Sequence, residues 1–297
     1  MNTLSQASAS PTTRSGSLDW PRLSRPRLER VLAYVLLLGA TVLFLLPFFW
    51  MISTSLKAKF QVFLYPPEWL PATPMWSNYP EALTRVPFGL FAANTLILTT
   101  INIIGAVLSC SVVGYAFARL RFPGKKTLFA VLIATLMVPE QVTFIPLFVI
   151  FRQLGWVNTY LPLTIPAFFG NPFLIFLFRQ YVMTIPRDLD EAARIDGCGT
   201  WGVFYRVLLP LLRPPIMLIV VFTFLWTWND YLKPLIYLTD YNRLTIQIGL
   251  AFFRGQFSVE WHLLMAATLV TMLPCLLIYF AAQRHLIGGI ASVGLKG

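Results

Sequence analysis

Along most of this chain apolar residues neither alternate with polar ones nor recur at a single helical face; they run on without a break. Six runs stay almost free of charge for about the 20 residues an α-helix needs to cross the hydrocarbon of a bilayer. They fall at 31–52, 90–118, 127–150, 161–178, 216–232 and 262–282. The pattern predicts an all-α, polytopic membrane protein with six transmembrane helices. The fourth run, "LPLTIPAFFGNPFLIFLF", is punctuated by Pro and Gly. Backbone groups freed at such breaks have no water to turn to in lipid, so this run is expected to pack inside a bundle.

The polar stretches divide the chain further. Residues 1–30, rich in Ser, Thr, Pro and Arg, lack the apolar content to fold alone and are expected to form a mobile tail. The apolar run that follows is too long for a signal-peptide core and reads as a retained membrane helix. Residues 31–297 then form the transmembrane domain. Between the fourth and fifth runs lies an insert of about 35 residues, where a short loop would have sufficed. Within it Pro186 suits a first helical turn, and Asp188, Asp190 and Glu191 favour the positive end of a short helix that Gly197 and Gly199 close. Thr200 reads as the cap of a second helix carrying Trp201, Phe204, Val207 and Leu208 at helical spacing, limited by Pro210. The predicted unit is a helix-turn-helix, set at about 184–213.

Composition agrees with a membrane setting. The 297 residues are 57% hydrophobic and 12% charged, against about a quarter charged in soluble domains. The net charge of +11 serves topology: six helices put both termini on one side, and sixteen of the 23 Lys and Arg fall on that side. The positive-inside rule makes it cytoplasmic, with some attraction to anionic lipid. No nucleic-acid motif is present. Three cysteines, Cys110, Cys198 and Cys275, imply no disulfide framework.

Little in the chain suggests catalysis. The segment "RFPGKKT" at 121–127 lacks the first glycine of a phosphate loop and reads as a turn. His262 and His285 are too few and too far apart for a metal site. Membrane-depth acids are scarce. Glu140, in "MVPEQVTFIP", either lines a polar path or bonds loosened backbone in a buried kink. Asp230, in "WTWNDYLKP", could form with Asn229 and Lys233 a hydrogen-bonded cluster at the end of the fifth helix, as an anchor or as part of a gate. Within the polar insert, either a hairpin lies on its own membrane domain, or Ala192 and Ala193 permit close approach of a partner while aromatics anchor it and Glu191 offers a carboxylate.

The segment "EAARIDGCGTWGVFYRVLLPLLRPP" resembles the EAA loop of the membrane-spanning subunits of binding-protein-dependent ABC importers. Glu191, Ala192, Ala193, Gly197, Leu209 and Pro210 match the pattern. Further likeness in "NTLILTT", "YAFARLRFPGKK", "FTFLWTWNDYLKPL" and "QRHLIGGIASVGLKG" points to the carbohydrate-uptake branch, similar to the G-type subunit of maltose permeases. The resemblance implies a non-catalytic permease subunit in a bacterial or archaeal cytoplasmic membrane. It would pair with a second permease subunit, two ATP-binding subunits that hold the ATP and Mg, and an extracytoplasmic solute-binding protein. It also implies that Glu191, Ala192, Ala193, Asp196, Gly197, Phe204, Leu209 and Pro210 couple to an ATPase, and that Lys296 and Gly297 touch the ATPase pair. The cargo would be a sugar or oligosaccharide; glycerol phosphate, another polyol derivative, or an ion-coupled secondary carrier are the alternatives.

Overall fold

The computed structural model describes residues 27–255 and 259–294; most of the expected tail, and Lys296 and Gly297, lie outside the described residues. The chain divides into two units, one ending at Phe48 and one running from Phe49. The described part of the first is the opening of α1 (Arg27–Ser55). That stretch is apolar after Arg30 and holds Pro47 without ending the helix.

In the second unit, α2 (Asn78–Arg85) leads into α3 (Phe88–Arg119), 32 uninterrupted residues around which the rest is arranged. With no internal proline, α3 keeps a regular period, and Phe91, Asn94, Thr95, Leu98, Asn102 and Gly105 are buried at three- and four-residue spacing. Its polar members have partners. The Asn94 side chain donates to Asn242 O at 2.8 Å and Leu244 O at 3.0 Å, and Thr95 Oγ1 accepts from Ile246 N at 2.9 Å. One end of α3 joins a core with Phe224, Trp228, Ile246 and Leu263, and the other joins a core with Phe178, Val182, Phe204 and Ile219.

The third run is not one helix. The chain folds as α4 (Lys125–Ala134), a 3-10 turn at Thr135–Met137, and α5 (Glu140–Gln153), bent by 100° between the two halves. Pro139 causes the break, because its ring disfavours helical backbone at the preceding residue, and Val138 is accordingly extended with ψ 116°. The fourth run is interrupted as its sequence suggests: α6 (Leu161–Thr164), a 3-10 stretch at Ile165–Phe169, Gly170 in the left-handed region at φ 87°, then α7 (Pro172–Thr184). Asn171 caps α7, accepting from Phe173 N at 3.0 Å and Leu174 N at 3.2 Å, with Pro172 in the first turn. As expected, α7 packs inward. It lies so close to α3 that a Cβ on Gly114 would stand 2.9 Å from the Phe178 ring and 3.2 Å from Ile175 O.

The insert follows as α8 (Asp188–Ile195), a short turn, and a helical arm at residues 200–211 built from α9 (Thr200–Gly202), a wide π-helical stretch at Val203–Leu208 and α10 (Leu209–Leu211). The two-armed unit stands, but its second arm is underwound. Pro210 has no N–H for the carbonyl four residues back, and the chain accommodates this with π geometry. Thr200 opens the arm from its first residue, with Gly199 in the capping position and no side-chain cap.

A 77° bend then leads into α11 (Arg213–Trp228), which stops before Asp230 rather than including it. The remaining helices are α12 (Leu232–Tyr237), α13 (Ile246–Ala251) and α14 (Trp261–Gly294). Trp228 Nε1 donates to Thr271 O at 3.0 Å, tying α11 to α14. Among the described residues four helices are long and apolar enough to cross a membrane, or up to six if each bent pair is one span. Among the described residues there is no strand beyond an isolated bridge between Arg254 and Val259.

Candidate functional site

Two places gather the chemistry-bearing residues. The first is the insert. Its acidic first turn, Asp188, Asp190 and Glu191, and basic last turn, Arg194, complement the helix dipole of α8. The eight-residue helix then sorts its side chains sharply by face. Asp190 and Ala193 are buried; Glu191, Ala192 and Asp196 are exposed. Asp190 Oδ2 stands 3.0 Å from Arg119 Nε at the end of α3, with both side chains at least nine-tenths buried. Arg119 also donates through Nη2 to Ile185 O at 2.7 Å. Neither Arg119 Nε nor Asp190 Oδ1 makes a hydrogen bond among the described residues, so charge rather than alignment holds the pair.

Ala193 faces the same core as Phe204, and Phe204 is 5% exposed with its ring 4.8 Å from that of Tyr115. The Tyr115 hydroxyl donates to Thr200 O at 3.3 Å. Ala193 and Phe204 are thus turned into the chain's own bundle and offer a partner no surface, whereas Ala192 and Pro210 remain outside and Leu209 is half-buried. Gly197 has φ 85° and open space where a Cβ would be. Backbone conformation, not crowding within this chain, is what requires glycine there.

The outward face also carries Trp201, 68% exposed and placed as one of the expected aromatic anchors, together with Ile195 and Tyr205, 86% and 69% exposed, which were not among the expected site residues. Periodicity alone does not sort them: Trp201 lies three and seven residues before the buried Phe204 and Leu208, the spacing of a shared helical face. Beside Glu191 a cavity of about 300 Å³ is lined by Arg119, Arg121, Arg187 and Arg194. No ion pair among the described residues includes Glu191, so its carboxylate is available to a partner.

The second place is a half-open cavity of about 310 Å³ lined by α3, α5, α6, α7, α11 and α12. Glu140 and Asp230 both line it, and Asn229 does not. Glu140 is exposed at the start of α5, with Oε1 2.6 Å from Lys233 Nζ; it does not sit inside a helix, nor does it bond loosened backbone in a buried kink. Asp230 Oδ1 accepts from Lys233 N at 3.2 Å, and its Oδ2 lies 4.0 Å from Lys233 Nζ. The expected cluster of Asn229, Asp230 and Lys233 is therefore reassigned. Lys233 gathers Asp230 and Glu140, while Asn229 turns away to donate to Leu225 O at 2.8 Å and to meet Gln247.

A bundle of membrane-crossing helices, holding a cavity with both polar and apolar walls and bearing a rigidly seated, amphipathic insert, defines a membrane transport component. Comparison with known proteins gives its family. Residues 110–291 match the model of the binding-protein-dependent transport system inner membrane component, and the chain belongs to that family.

It is 32% identical over 279 residues to the melibiose/raffinose/stachyose import permease protein MelC of Bacillus subtilis, an alignment covering 93% of this chain and all of MelC. It is 31% identical to the diacetylchitobiose uptake system permease protein NgcG of Streptomyces coelicolor, covering 91% of this chain and 90% of that one. Among solved structures, a bacterial ABC transporter involved in import of the acidic polysaccharide alginate shares the fold, with a TM-score of 0.77 at 22% identity, covering 87% of this chain and 96% of that one. Membership makes this chain a multi-pass inner-membrane transport component that works with other subunits of its importer and with a binding protein.

Proposed function

We propose that this chain is one permease subunit of an ATP-driven importer for a sugar or oligosaccharide. It forms a heterodimer with a second permease subunit, receives cargo from an extracytoplasmic solute-binding protein, and draws on two cytoplasmic subunits that bind ATP and Mg. Both of its termini face the cytoplasm, as the Lys and Arg distribution favours. The carbohydrate reading is supported by two relatives, named for oligosaccharide import and for diacetylchitobiose uptake, that each align over nine-tenths of this chain or more.

The observation that carries the coupling role is the two-faced seat of α8. Its inner face is fixed to α3 by the buried Arg119–Asp190 pair and by Ala193 and Phe204. The insert's outer face presents Glu191, Ala192, Ile195, Asp196 and Trp201, while Gly197 shapes the turn. Glu191 meets a base on an ATPase subunit, and the apolar residues fill a cleft there. A displacement of that subunit then moves α3 and α11 with the insert, because a rigid connection transmits motion that a flexible one absorbs. Leu209 and Pro210 stand in the arm just before the 77° bend into α11, and Lys296 and Gly297 add a contact to the ATPase pair.

The mechanism is alternating access. The outward-facing state prevails only when nucleotide and loaded binding protein both favour it. Glu191→Ala and Trp201→Ala, reconstituted with all partner subunits, should leave assembly intact while cargo-stimulated ATP hydrolysis and uptake fall together. Full stimulation in both variants would overturn the coupling role.

A further inference from the structure

Positive charge gathers where the membrane-crossing helices meet the insert. The long apolar run of α3 ends at Arg119, α4 opens at Lys125, and α7 ends at Thr184. Side chains draw these ends together: Arg119 donates to Ile185 O, Lys125 Nζ to Leu120 O at 2.8 Å, and Arg179 Nε to Phe117 O at 3.2 Å. The smaller cavity, about 300 Å³, lies at this junction.

Its charged lining divides into spent and unspent groups. Arg119 and Asp190 neutralise each other at 3.0 Å. Arg121 comes from the link between α3 and α4, and Arg187 and Arg194 come from the two ends of α8. All three are exposed, and among the described residues none of them has an ion pair or a side-chain hydrogen bond. Glu191 lines the same space and offsets part of that charge. Three guanidinium groups against one carboxylate leave an excess of positive charge, and each guanidinium offers a planar fork of donors suited to phosphate oxygens.

Position selects the source of the phosphate. Helix α4 buries none of its residues, and Leu128 and Val131, within two turns of Lys125, are 54% and 57% exposed. Apolar surface that begins beside a basic cluster, at the end of a membrane helix, suits acyl chains below a headgroup. An anionic leaflet holds its phosphates at this depth and attracts basic side chains to them.

We propose that this cavity binds the phosphate of an anionic phospholipid, held by Arg121, Arg187 and Arg194, with its acyl chains along α4. The headgroup bridges the α3–α4 link to α8, so that lipid, as well as the buried Arg119–Asp190 pair, seats the insert. The site is independent of which cargo the importer carries.

The test is native mass spectrometry of the full importer in detergent, titrated with phosphatidylglycerol, with phosphatidylcholine as the zwitterionic comparison and inorganic phosphate as the soluble competitor. The wild type should retain a tightly bound phosphatidylglycerol that neither of the others displaces. Arg187→Gln/Arg194→Gln should weaken it about thirtyfold, the size of two lost basic contacts at an anionic surface, and Arg121→Gln, away from α8, about fivefold. Arg206→Gln/Arg213→Gln, exposed and outside the cavity, should leave it unchanged. Without lipid, the cavity variants should keep the wild-type thermal midpoint, since the residues removed have no partners within the described fold, and they should lose only the rise that phosphatidylglycerol gives the wild type.

Unchanged phosphatidylglycerol affinity in both cavity variants, or an equal fall in the Arg206/Arg213 variant, would overturn the site. Displacement of the lipid by inorganic phosphate at equal concentration would overturn the lipid as its occupant and reassign the cavity to a dissolved anion.

Discussion

Each end of the molecule contains an ion pair, and the two pairs are unlike. At the insert, Arg119 and Asp190 are 5% and 10% exposed; at the membrane cavity, Lys233 and Glu140 are 40% and 60% exposed. A buried pair is costly to part, because whichever partner remains is a stranded charge. An exposed pair can separate and re-form at little cost. The contrast fits a division of labour. The insert must move as one piece with α3, whereas the cavity must let its contacts change as something passes.

The largest effect should come from Asp190→Asn, which strands Arg119 and is expected to cost about 3–5 kcal/mol. The thermal midpoint of the purified permease should drop sharply, and adding Arg119→Leu should recover part of it. A loss no greater than that of Glu140→Gln would erase the distinction between the two ends. Gly114→Val comes next, at about 1–3 kcal/mol, because the new side chain meets the Phe178 ring and the Ile175 carbonyl across the α3–α7 contact. Its effect should appear as weaker protease resistance of the insert, which α7 supports.

At Gly197 the expected cost of alanine is about 1–2 kcal/mol, set by the left-handed backbone. Asparagine should cost less, and equal losses for the two would mean that crowding rather than φ governs the site. Glu140→Gln should change stability by no more than about 1 kcal/mol, as expected for an exposed pair, by chemical denaturation of the same preparation. The smallest effect on stability belongs to Glu191→Gln, within about 0.5 kcal/mol, although uptake by the assembled importer should fall severalfold. A large stability loss there would place Glu191 with the buried set and remove the outer face from the comparison.

Much of this was legible beforehand for a plain reason. Runs of about 20 uncharged residues have few alternatives to membrane helices, and the caps and charges of 188–195 mark a short helix by local rules. The break at Pro139 was a local signal too, yet apolar residues on both sides masked it, since hydropathy counts composition and not direction. The π geometry of Val203–Leu208 was hidden because Trp201, Phe204, Val207 and Leu208 suit an ordinary helical period equally well. Which of Ala192 and Ala193 faces inward, and that Phe204 does, depended on where α3 and α7 would lie.

The sequence by itself determined the membrane class, the number of apolar runs, the position of the polar insert and the residues that resemble a coupling loop. These follow from composition and near-neighbour spacing. Only the tertiary structure joined Arg119 to Asp190 across 71 positions, brought Lys233 to Glu140, and turned Asn229 away from both. The reason is physical. A side chain's propensity is set by its own residues, but the partner of a charge is set by whichever helix the fold carries to within a few ångströms of it.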